Sequence, residues 1–173
     1  MRGLGFHGRQ SQEEREPRQT ADGDEREGGA RVLIVAATGD ATLPALLEAV
    51  RLRAARGPAR FHLVLPDPAE HAELSDRQRR ESRARGQEML ERALPLLSAA
   101  VGAEVDGTFS PRHDPMDAIE EALGQERVDE IILTTIHHNV SERLHLDLAH
   151  RVEHLGLPVT TVIGEKTRGM THA

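Results

Sequence analysis

The densest concentration of chemistry-bearing side chains lies in TTIHHNVSERLHLDLAHR, Thr134 to Arg151, which holds four of the ten histidines. Thr134, Thr135, His137, Asn139, Ser141 and Arg143 gather hydroxyl, ring, amide and guanidinium groups just ahead of an expected helix start. Free backbone N–H groups and the helix dipole make such a place a natural anion site, and an arginine adds a fork. The plainer reading, that Ser141 caps the helix and the rest is solvated loop, stands beside it.

Metal chemistry is the second possibility. His150-Arg-Val-Glu153-His154 spells HxxEH, two histidines one helical turn apart, with Asp147 a turn earlier. A catalytic zinc needs a third protein ligand and an open position. The segment after His154 offers one carboxylate, Glu165. Leu144, Leu148, Val152 and Leu155 claim the inward helix face, which leaves His150 and His154 on a solvated one. Metal-dependent hydrolysis is therefore the weakest reading. Nucleophilic catalysis has no GxSxG elbow and no cysteine. Asp67, Asp114 and Asp129 stand at element ends, where caps and turns explain them, so no enzyme is expected. Gly3, Gly5 and Gly8 spell GxGxxG, but only Met1 and Arg2 precede them, and that motif needs a strand before it. Arg77, Arg79, Arg80, Arg83 and Arg85 alternate with Asp76, Glu81 and Glu88, a pattern of exposed helix face and intrahelical ion pairs.

The composition narrows the classes. A chain of 173 residues can bury one sizeable core. Its net charge of −7 and lack of Trp and Tyr argue against gripping phosphate backbones or stacking bases, so no nucleic-acid partner is expected. No apolar run reaches membrane-spanning length, and the first residues lack the apolar stretch of a secretory signal. With no cysteine, a cytoplasmic protein is the expectation.

These residues need elements to position them. Residues 1–30 are polar, charged and Gly-rich, and 165–173 are similar; both read as disordered tails around a domain over 31–164. RVLIVAA (31–37), ARFHLVL (59–65), AEVDGTFS (103–110), DEIILTT (129–135) and PVTTVIG (158–164) read as strands. Between them lie helical patterns. The first is capped by Thr42 and ended by Gly57, with Leu43, Leu46, Leu47, Val50 and Ala54 inward. The second, about 75–101, carries the stripe Met89, Leu90, Ala93, Leu94, Leu97 and Val101, and Pro95 should kink or split it. The third has Asp114 as cap and Pro115 at its first position, and the fourth runs from about Ser141 to Leu155. Strict β-α alternation means an α/β fold, a five-stranded parallel sheet with helices on both faces. Ligands of such sheets sit beyond the carboxyl ends of the strands, where strand order reverses. With the first strand central, Thr38, Gly39 and Asp40 would face the loop after the fourth strand.

VLIVAATGD, HLVLPDP, DPMDAIEEAL, VDEIILTT and LGLPVTTVIG together resemble the universal stress protein family over about residues 31–164. The resemblance implies a single Rossmann-like domain of the adenine nucleotide alpha hydrolase-like type, a role in stress response, and a homodimer joined through the last strand, Pro158 to Gly164. It implies ATP or another nucleotide as ligand; the crevice read above would hold it, or another small anion, with Thr38, Gly39, Asp40, Thr134, Thr135, His137, Ser141 and Arg143. The alternative is a dimeric interaction module that needs no ligand. ATP-binding members carry Gly-x2-Gly-x9-Gly-Ser/Thr after the fourth strand. Here Thr134 and His137 take the first two glycine positions, and the final pair falls near His145-Leu146. A β-carbon at each narrows the approach of backbone to phosphate.

Overall fold

ARVLIVA forms the first strand, β1 (Ala30–Ala36), buried from Val32 to Ala36 on both faces, as the interior of a parallel sheet requires. The computed structural model describes residues 29–37, 41–67, 75–136 and 142–164. The tails expected over 1–30 and 165–173 lie outside the described residues, apart from Gly29 and from Ala30, which belongs to β1 and not to a tail. The chain continues through α1 (Pro44–Ala54), β2 (Ala59–Pro66), α2 (Asp76–Val101), β3 (Asp106–Ser110), α3 (Pro115–Gln125), β4 (Glu130–Ile136), α4 (Glu142–Glu153) and β5 (Val159–Gly164). The five strands pair in parallel in the order β3-β2-β1-β4-β5. This is the expected α/β architecture, with β1 at its centre.

Strand alternation splits the interior into two cores. Val32, Ile34 and Ala36 point to one face and pack with Leu46 and Val50 of α1 and with Leu90, Ala93 and Leu97 of α2. Leu33 and Val35 point to the other and meet Met116, Ile119 and Ala122 of α3 and Leu148 and Val152 of α4. Burying an aliphatic side chain of this size stabilises by about 1.5–3 kcal/mol.

The helix ends show which local signals prevailed. Asp114 caps α3 by accepting from the Met116 N–H at 2.9 Å, and Pro115 takes the first helical position, as expected. Ser75 and Gln78 form a reciprocal capping box on α2, and Gly102, at φ 72°, closes it. One expectation is corrected and another narrowed. The N-cap of α1 is Leu43, not Thr42, because Pro44, with its preset φ and missing N–H, suits the first position. Pro95 does not split α2, which runs unbroken through it. The proline deprives the Glu91 carbonyl of its N–H donor, but Ala93 and Leu97 on either side are buried and hold the helix in register. At α1, Gly57 follows the Ala55 C-cap rather than forming it.

Two contacts tie helices to the sheet. Arg53 of α1 pairs with Glu130, the first residue of β4, with both side chains largely buried. Gly86 leaves room on α2 for the Phe109 ring of β3: a β-carbon there would lie 2.7 Å from Phe109 Cγ and nearer still to the ring edge.

Candidate functional site

Strand order reverses between β1 and β4, so the carboxyl ends of these two strands flank the gap where ligands of such sheets sit. Thr134 sits in this gap as the register partner of Ala36 on one side and Val162 on the other. It is fully buried, and its hydroxyl donates to the Val35 carbonyl at 3.4 Å. Thr135, 5% exposed, points to the opposite face. The two threonines thus stand at the carboxyl end of β4, one on either face of the sheet. Of the other expected ligand residues, Thr38, Gly39, Asp40, His137 and Ser141 lie outside the described residues, as does the side chain of Arg143, whose backbone lies in the first turn of α4.

A second polar group, not anticipated as a unit, lies at the carboxyl ends of β2 and β3. Asp67 is 2% exposed and accepts from Ser82 Oγ of α2 at 2.6 Å. Its N–H donates to the Arg112 carbonyl at 3.0 Å, and His113 Nδ1 lies 3.3 Å from its carbonyl oxygen. Ser110 Oγ, buried at the end of β3, accepts from the Arg112 N–H. Asp114, besides capping α3, takes Arg151 of α4 at 3.3 Å. The network ties the β2 end, the β3–α3 loop and two helices together. The sequence held one clue: Asp67 continues the alternation Phe61, Leu63, Leu65 that faces α2.

On α4, Leu148 and Val152 are buried, while His150 and His154 stand on the exposed face. Their rings meet edge to face with centroids 4.3 Å apart, and His154 Nδ1 donates to the His150 carbonyl at 2.7 Å. Among the described residues, no three His, Asp or Glu side chains gather closely enough to hold a metal ion. Two arginines of the run on α2 form the expected intrahelical pairs, Arg77 with Glu81 at 2.8 Å and Arg79 with Asp76 at 3.8 Å. Among the described residues no helix is long and apolar enough to cross a membrane.

At the other end of the sheet, Asp129 joins β4 to β1. It accepts from the Arg31 N–H at 2.9 Å and from Arg127 Nε at 3.0 Å, and its own N–H donates to the Arg31 carbonyl at 2.8 Å. The Arg31 N–H, and with it the Arg127 guanidinium, holds this carboxyl below the ordinary aspartate range, against an opposing push from burial.

No protein-family model and no curated protein matches the chain. Solved structures match its fold. A universal stress protein in complex with cAMP gives a TM-score of 0.55 at 16% identity, over 81% of this chain and 99% of that one. The universal stress protein from Archaeoglobus fulgidus in complex with dAMP gives 0.53 at 16% identity, over 78% and 98%. A universal stress protein family protein from Arabidopsis thaliana with AMP bound gives 0.50 at 17% identity, over 84% and 97%. The chain has the fold of the universal stress proteins.

Proposed function

We propose that this chain is a divergent universal stress protein of the cytoplasm that senses an adenine nucleotide or another small anion without turning it over. The ligand sits in the crevice between the loops after β1 and β4. One observation carries the reading: strand order reverses at that point, in a fold whose solved examples hold cAMP, dAMP and AMP. Thr38, Gly39 and Asp40 would contact it from one side, and His137, Ser141 and Arg143 from the other. Thr134 and Thr135 underlie it as the floor.

The missing glycines refine the choice of ligand. Thr134, His137 and His145 stand where a triphosphate would need bare backbone. A nucleoside with one phosphate asks less of that loop than ATP does. AMP or cAMP should therefore raise the melting temperature more than Mg-ATP, read by circular dichroism. Ligand at a hundred times its Kd adds about 2.7 kcal/mol of stability. Absence of a shift with every nucleotide would remove this reading, and release of phosphate or pyrophosphate from ATP would remove its non-catalytic part.

The exposed edge of β5 favours a second reading, a dimeric interaction module that needs no ligand. Thr160, Thr161 and Ile163 are all exposed on this edge strand, Ile163 by 48%.

A further inference from the structure

A recess of about 140 Å³ opens at the amino-terminal edge of the sheet, the end opposite the crevice, and Arg31, Arg60, His62, Asp106, Glu126 and Arg127 line it. Arg31 and Arg60 are register partners on β1 and β2, so their side chains leave the same face of the sheet side by side. Like charges opposed across a ladder are unfavourable unless something sits between them. Asp129 takes the Arg31 N–H and Arg127, and its charge also faces the Arg31 guanidinium, which leaves Arg60 as the cation to be answered. Arg60, in contrast, makes no hydrogen bond or ion pair among the described residues.

The acidic side chains beside these cations narrow the ligand. Glu126 lies 3.7 Å from His62 Nδ1, and His62 Nε2 lies 3.0 Å from Thr108 Oγ1. Asp106 makes no ion pair among the described residues. An ionised carboxylate can only accept hydrogen bonds. A bare oxyanion such as sulfate would meet the arginine forks but would be repelled by Asp106 and Glu126. Hydrogenphosphate has oxygens for the guanidinium groups and a P–OH hydrogen for a carboxylate.

We propose that this recess binds free hydrogenphosphate, with Arg31 and Arg60 donating to its oxygens and Asp106 or Glu126 accepting from its P–OH. The site is separate from the nucleotide crevice and does not depend on it.

The test is a titration of the full chain with inorganic phosphate, methyl phosphate and sulfate, followed by ¹H–¹⁵N spectra. Phosphate should move the amides of residues 31, 60–62 and 126–128 saturably. Sulfate should bind about tenfold more weakly, because it leaves a carboxylate facing an oxygen with no hydrogen between. Arg60 is exposed and has no partner among the described residues, so Arg60→Gln should keep the melting temperature yet weaken phosphate about tenfold. Asp106→Asn and Glu126→Gln together should bring sulfate level with phosphate. Methyl phosphate is largely the hydrogen-free dianion at neutral pH, so it should bind about as weakly as sulfate, and binding equal to that of phosphate would overturn the proposal. Unmoved amides, equal binding of sulfate by the unaltered chain, or an unchanged affinity in Arg60→Gln would each overturn the proposal. Shifts confined to the ends of β1 and β4 would also overturn it, and would point to the crevice instead.

Discussion

Asp129 shows how much one side chain can depend on a distant partner. Its carboxylate accepts from Arg31, 98 residues earlier, and that contact lowers its pKa. A lowered folded pKa means the folded state binds this proton less readily than the unfolded one. The contribution to stability is therefore complete above the ordinary aspartate range and is lost as pH falls below it, towards the lowered value. Asp129→Ala should cost about 1–2 kcal/mol at neutral pH, with the gap to the unaltered chain narrowing in acid, as measured by urea unfolding across pH. A gap that persists unchanged under acid conditions would show that the ion pairing is not its source. From the sequence, Asp129 read only as a turn residue at the head of a strand. Asp114 was legible in full as a cap, because its partner is two residues away. Legibility at this scale follows separation along the chain.

Among the elements, α2 best separates local from tertiary control. Its apolar stripe and its start at Ser75 were readable, since both are set within a few residues. Pro95 was read as a kink or a split, and α2 runs through it without a split between the buried neighbours Ala93 and Leu97. Gly86 gave no signal at all; its need for a missing β-carbon comes from Phe109 of β3. In an exposed helix Gly→Ala would stabilise by about 1 kcal/mol. At this position overpacking against the ring costs about 1–3 kcal/mol and reverses the sign. Gly86→Ala should therefore lower the melting temperature by about 2–4 °C. Adding Phe109→Leu should recover part of the loss, and a double mutant no better than the sum of its parts would show that the ring is not the obstacle.

For the molecule, the alternation of elements gave the sheet, and the central β1 gave the place of the crevice, because both follow from general rules of parallel folds. The polar network around Asp67 and the recess around Arg60 were not legible. Each is made by the register of strands and by loops far apart in sequence. The β5 edge carries the expectation of a homodimer. Ile163→Lys should leave the fold intact by circular dichroism, since an exposed side chain contributes little to the core. It should also turn a dimer into a monomer in light scattering after size exclusion. An unaltered chain that is already monomeric would end the dimer reading. The strand order has one more consequence, for the chain as it is made. β1 pairs with β4 from Val32 opposite Glu130 onward. At about 5–20 residues per second, a ribosome needs about 5–20 s between releasing one strand and the other. For that interval the most apolar strand of the protein has one open edge, and the nascent chain must be shielded there until β4 arrives.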